Sequence, residues 1–151
     1  MTDSDCVQRF ASAKTQSRLL HAIVDTARIE ASRVDVSPES EWLQLSIISP
    51  KPGASMKPHV HNARAANTRE RLPQEAWFVI AGSMSVRLYD EDKQLLHETT
   101  LRAGQLLVTF HGGHAFHSVE AGTRFMECKN GPYEGRDYTA FEEGVSEASS
   151  S

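Results

Sequence analysis

The stretch Gly53-Ala-Ser-Met-Lys-Pro-His59-Val-His61, answered downstream by Glu75-Ala-Trp-Phe-Val-Ile-Ala-Gly82, decides how this chain is read. His59 and His61 are one residue apart. On a strand, residues so spaced point to the same face. Glu75 opens an apolar run, and its carboxylate is costly to bury without a partner. Two imidazoles and a carboxylate on one wall of a small barrel can seat a divalent transition metal. His59, His61 and Glu75 are therefore candidate ligands. A register slip of one residue would turn Gln74 inward instead.

Working outward, the texture is strand after strand. Apolar-rich runs occur at Leu19–Val24, Trp42–Ile48, Ala76–Ile80, Met84–Tyr89, Leu95–Leu101, Gln105–Phe110, Ala115–Val119 and Arg124–Cys128. Pro50, Pro52, Gly53, Gly82, Asp90-Glu91-Asp92, Gly104, Gly112-Gly113 and Gly122 punctuate them. Many short strands between turn signals predict an all-β sandwich or barrel. Met84, Val86 and Leu88 alternate with Ser85, Arg87 and Tyr89, as in a half-buried antiparallel strand. Upstream, Val7, Phe10, Ala11 and Lys14 sit at helical spacing, which predicts a short helix in an N-terminal extension over 1–18. The barrel is expected over 19–138. The acidic, Ser-rich segment 139–151 is expected to be a disordered tail.

The chain has 151 residues, 39% of them hydrophobic and 24% charged, the balance of one soluble globular domain. A net charge of -4 gives no sign of nucleic-acid binding. No apolar run approaches the roughly 20 residues of a membrane span. The polar, acidic N-terminus is unlike a signal peptide, which points to the cytoplasm, with Cys6 and Cys128 as reduced thiols.

A further ligand is offered by Gly104-Gln-Leu-Leu-Val-Thr-Phe-His-Gly-Gly113-His114-Ala-Phe116-His117. A glycine-bounded strand enters a tight Gly112-Gly113 turn, and His114 follows at once. His111 and His117 compete with His114. His111 precedes the turn, and His117 has the opposite strand parity. His21 and His97 belong to no pattern.

With both halves in view, the chain resembles the cupin superfamily. Its first motif is a glycine, five residues, His-x-His, a spacer, Glu, six residues and a glycine, which Gly53, His59, His61, Glu75 and Gly82 match. The spacer here holds thirteen residues, 62–74, longer than usual. Gly104 and His114 match the second motif loosely: Phe110 stands in the proline's place and the histidine comes one residue early. The resemblance implies a single-domain double-stranded β-helix, a jelly-roll-like barrel, with one metal (Fe, Ni, Zn, Mn or Cu) on His59, His61, Glu75 and His114. Within the superfamily, Gln74-Glu75-Ala76-Trp77, Gly112-Gly113-His114-Ala115-Phe116 and Glu127-Cys128-Lys129-Asn130-Gly131-Pro132-Tyr133 are similar to small cupins related to nucleotide-sugar ketoisomerases, the WxcM-like group.

The implied function is an enzyme acting on a small oxygenated or anionic molecule, of dioxygenase or isomerase type. The alternatives are a metal-independent ketoisomerase that uses histidine as acid and base, a non-catalytic binding module, and a structural metalloprotein with a closed site. Phe125, Glu127 and Lys129 share one strand face. If that face is inward, Glu127 and Lys129 are the candidate acid and base; otherwise they form an outward pair. Trp77 and Phe116, which share parity with Glu75 and His114, are expected to line the cavity or pack the core. Tyr133 is expected to close the pocket or cap the barrel. Arg64, Arg69 and Arg71 in the long spacer suit an anionic group, or simply a solvated loop. Small cupins commonly pair, and Leu19–Val24 is the strand expected to pair or swap in a homodimer.

Overall fold

The computed structural model describes residues 6–14, 18–62, 73–132, 135 and 138–143. Twelve strands form in order: β1 (Val7–Ala11), β2 (Leu19–Val24), β3 (Arg33–Asp35), β4 (Leu43–Ile48), β5 (His59–His61), β6 (Glu75–Ala81), β7 (Ser83–Tyr89), β8 (Leu95–Arg102), β9 (Leu106–Thr109), β10 (Gly113–Val119), β11 (Arg124–Asn130) and β12 (Tyr138–Ala140). Among the described residues the helical content is one 3-10 turn, Thr26–Arg28, capped by the Asp25 carboxylate. Among the described residues, no helix is long and apolar enough to cross a membrane.

Two five-stranded sheets carry the architecture, ordered β12-β5-β10-β7-β8 and β3-β4-β11-β6-β9. Strand alternation decides what lies between them. On β6, Glu75, Trp77 and Val79 are buried while their neighbours are not. Trp77, Val79, Met84, Val86, Leu101, Val119 and Phe125 form the core between the sheets, with Phe116 and Met56 packed against it. Side-chain burial of this kind stabilises by roughly 1.5–3 kcal/mol per large residue.

The second sheet also buries part of its outer face. β1 and β2 pair as an antiparallel ribbon. Cys6 and Val7 pack there with Ile29, Val34, Val36 and Ile47, over Leu45, Ile80 and Met126. The helix expected near Val7 is thus a strand. Pairing with β2 and burial of Val7 decide the local structure, against a helical spacing of only a few residues. Residues 139–143, expected in the tail, are ordered against the barrel: β12 pairs with β5, and Phe141 N–H donates to the Pro58 carbonyl. Cys6 and Cys128 form no disulfide with each other.

Candidate metal centre

β5 has only three residues, and its burial pattern is inward, half-buried, inward. His59 and His61 therefore share the interior face. β10 lies beside β5 with His114 opposite His59. Three imidazoles thus come from one sheet. Glu75, the first residue of β6, faces them from the other sheet. Ring centroids are 5.3 Å apart for His59 and His61, 4.6 Å for His59 and His114, and 5.4 Å for His61 and His114. One nitrogen from each ring lies within 4.8 Å of the others. Nitrogens bound to one ion at about 2.1 Å lie roughly 3.0–3.4 Å apart in octahedral or tetrahedral geometry, so a metal would draw the widest of these pairs together by up to about 1.5 Å.

The outer nitrogens orient two of the rings. His59 Nδ1 lies 3.2 Å from the Lys57 carbonyl oxygen, and His114 Nδ1 lies 3.0 Å from Thr109 Oγ1. That leaves Nε2 of each directed inward, the arrangement expected of ligating histidines. Glu75 Oε2 is 3.2 Å from His61 Nε2, and Oε1 is 3.7 Å from His114 Nε2. Trp77 donates its indole N–H to the same Oε1. Among the described residues, buried His114 Nε2 has no hydrogen-bond partner. An orphaned nitrogen of this kind costs about 1–3 kcal/mol in a closed interior. A metal ion would relieve that cost, so the residues fit a divalent cation.

Protonation suits the same role. Burial, opposed by Glu75, pushes the His114 imidazole down to about 3. Burial likewise lowers His59. Burial pushes the Glu75 carboxyl upward, but the hydrogen bond with His61 and the neighbouring His114 outweigh it and bring it down to about 2. Neutral imidazoles beside an ionised carboxylate form a donor set for a transition metal.

The cluster opens into a cavity of about 450 Å³ whose wall includes Arg33, Asp35, Ser46, Glu127, Lys129 and Tyr138. Glu127 and Lys129 face inward, as one of the two parities required. Glu127 Oε1 accepts from Arg33 Nη2 at 3.2 Å. Burial, reinforced by the Glu75 charge, pushes the Glu127 carboxyl above its ordinary value against the pull of Arg33. Lys129 lies directly opposite Glu75 across β11 and β6.

The remaining candidates fall elsewhere. Trp77 is 2% exposed and belongs to the core with Phe116 and Phe125, behind the ligands rather than on the cavity wall. Gln74 faces outward, which settles the register in favour of Glu75. A bulge near His117 turns that ring toward Glu98, with Nε2 3.2 Å from Oε1. His111 lines an open groove with Trp42 and Cys128 and is not one of the three clustered histidines. Arg64, Arg69, Arg71 and Tyr133 lie outside the described residues.

Several site residues escape the sequence reading. Arg33, Asp35 and Ser46 carry no motif; their one signal is the alternation of β3, which puts Arg33 and Asp35 on one face and buries Val34 on the other. Tyr138, whose ring centroid is 4.7 Å from that of His59, arrives through β12.

No protein-family model matches the chain, and no curated protein matches it. Solved structures do. KdgF from Halomonas sp. aligns at a TM-score of 0.50 and 18% identity, over 65% of this chain and 77% of that one. Oxalate decarboxylase from Bacillus subtilis aligns at a TM-score of 0.54 and 24% identity, over 72% of this chain and 26% of that one. The fold is a cupin barrel. At these identities the likeness shows the fold alone. The chain spans only about a quarter of the oxalate decarboxylase chain. A further structure of that B. subtilis enzyme, described as having Mn(II) centers, aligns at a TM-score of 0.51 and 24% identity, over 68% of this chain and 25% of that one.

Proposed function

We propose that this cupin is a metal-dependent enzyme acting on a small oxygenated or anionic molecule. The observation that carries the reading is the convergence of His59, His61 and His114 within 4.8 Å, with Glu75 facing them. These four residues would hold one divalent transition metal. When bound, such an ion supplies Lewis acidity or an oxygen-activating centre. Dioxygenase and isomerase chemistry are the reaction types that suit the site.

The chain's own groups supply the rest. Glu127 lies one row below Lys129 on the cavity floor, and its raised carboxyl holds a proton further toward neutrality than an exposed glutamate would. It is the candidate general acid or base at a substrate carbonyl or hydroxyl. Lys129, beside Glu75, places a cation where a substrate anion would sit. The apolar layer of Trp77, Phe116 and Phe125 closes the barrel beneath the ligands against water.

Metal analysis of protein purified without added metal tests the reading. The expected result is close to one transition-metal ion per chain, lost in His59→Ala. A folded barrel that neither carries nor takes up iron, manganese, nickel, zinc or copper would overturn it.

A further inference from the structure

The cavity floor is more than a metal seat. The register of the second sheet lays its interior side chains in rows. Gln44, Lys129, Glu75 and Thr109 form one row; Asp35, Ser46, Glu127, Trp77 and Leu107 form the next. Strands are spaced about 4.8 Å apart, so β4 lies about 10 Å from Glu75 and β3 about 14 Å. The cavity wall includes residues from β3, β4, β11 and β6. A two-carbon ligand seated at the cluster would leave the far part empty.

That far part is built. Ser46, 6% exposed, donates to Asp35 Oδ1 at 2.7 Å and accepts from Arg33 Nη2 at 2.7 Å. Arg33 Nε donates to Asp35 Oδ1 at 2.8 Å, and Nη2 also reaches Glu127. Gln44 Nε2 donates to the carbonyls of Pro38, Glu39 and Glu41, which fixes the adjoining wall without a ligand. Among the described residues, Arg33 Nη1, Asp35 Oδ2 and Glu127 Oε2 carry no hydrogen bond.

Charge decides what fits there. One guanidinium stands between two carboxylates, so the far end has no positive charge left over for an anion. It offers one donor group and two acceptors, a set that matches hydroxyls, which both donate and accept. At the near end, Lys129 and a divalent ion favour an anionic group. The two ends thus ask for different chemistry.

We propose that Arg33, Asp35 and Ser46 form a distal subsite for the hydroxyl groups of an elongated, polyhydroxylated carboxylate whose acid end lies at the metal cluster. This rests on the metal reading above and adds the length and polarity of the substrate.

The test uses the zinc-loaded protein, with zinc uptake measured first, and calorimetric titration of gluconate, glycolate and 2-hydroxyhexanoate. All three carry the same 2-hydroxy acid. Gluconate and 2-hydroxyhexanoate share their chain length, but only gluconate has distal hydroxyls. Gluconate is expected to bind at least tenfold more tightly than either of the others. Arg33→Ala and, independently, Asp35→Asn are expected to erase that tenfold gain. Equal affinity for gluconate and 2-hydroxyhexanoate, or a gluconate advantage that survives both substitutions, would overturn the subsite while leaving the metal reading intact. A folded protein that takes up neither zinc nor iron, manganese, nickel or copper would overturn the metal reading and the subsite with it.

Discussion

The indole N–H of Trp77 donates to Oε1 of Glu75, two residues before it on the same face of β6. Strand parity puts the two side chains on one face, and the bond fixes which way the carboxylate turns. Trp77 thereby links the apolar core to the candidate metal centre. Trp77→Phe keeps most of the packing and removes the donor. A partner that orients a ligand is typically worth 10–100-fold in metal affinity. We expect zinc affinity to fall by about that factor. The metal-free protein should lose about 2–4 kcal/mol of stability through the lost hydrogen bond and the smaller ring. Competition titration against a fluorescent chelator reads the first effect, and chemical unfolding the second. Unchanged zinc affinity would show that Glu75 needs no such support.

The C-terminal segment is a second support. β12 pairs Tyr138 with His61 and Ala140 with His59, so the ligand strand β5 lies between β12 and β10. Glu143 fastens the segment by accepting from Tyr89 and from Arg87. The hydrogen bond from Tyr89, then those from Arg87, hold the Glu143 carboxyl below its ordinary value of 4.5. A depressed carboxylate contributes stability above its unfolded value and loses it as pH falls through the folded one. The wild type is therefore expected to melt above Glu143→Gln at pH 7, with the gap closing below about pH 4.5. Because Glu143 is well exposed, solvent screening keeps the gap to no more than about 2 °C. Thermal melts of both proteins across this range measure it. A gap that stays constant or widens in acid would refute the latch.

What is legible in the residues follows from element length. Eight of the nine strands longer than three residues can be read as apolar-rich runs between turn signals; β1, with five residues, is the exception. β3, β5 and β12 have three residues each, too few for a period to register. β5 is legible only because its residues are His59-Val-His61. Glu75 and Gln74 are not separable from residues alone, because β6 is apolar on both faces; the burial of Glu75, Trp77 and Val79 decides between them. The Arg33–Glu127 contact joins residues 94 positions apart, and no local pattern encodes it. Parity puts Trp77 on the correct face but leaves its depth open, since a direction does not say how far the cavity reaches. The helix expected near Val7 does not form because pairing with β2 is a long-range fact.

Association through the N-terminal ribbon is a further expectation. Phe10 on β1 and Leu20 and Ile23 on β2 are 46%, 52% and 58% exposed. Among the described residues, each ribbon strand also has one edge without a strand partner. Apolar side chains beside an open edge favour pairing with a second copy. Sedimentation at micromolar concentration is expected to give a dimer, and Ile23→Lys a folded monomer. A monomeric wild type under the same conditions would contradict the expectation.

The turn before His114 supplies the sharpest stability test. Gly112 has φ of +77°, and a Cβ there would lie 2.3 Å from the carbonyl oxygen of Tyr89. Gly53, at the head of the first motif, has φ of +75°, but a Cβ there would meet nothing within 4 Å. Both glycines relieve backbone strain of about 1–2 kcal/mol per non-glycine residue in this region. Only Gly112 also makes room for another strand's backbone. The Tyr89 carbonyl cannot retreat cheaply, because Tyr89 pairs with Gly113 and holds Glu143 through its hydroxyl. Gly53→Ala should therefore cost about 1–2 kcal/mol, the strain alone. Gly112→Ala should cost about 3–5 kcal/mol and displace His114, with a matching loss of zinc affinity. Denaturant unfolding of the two variants ranks them directly. Equal costs would mean that the Gly112 turn relaxes away from Tyr89, and that His114 is not held by the close approach of these two strands.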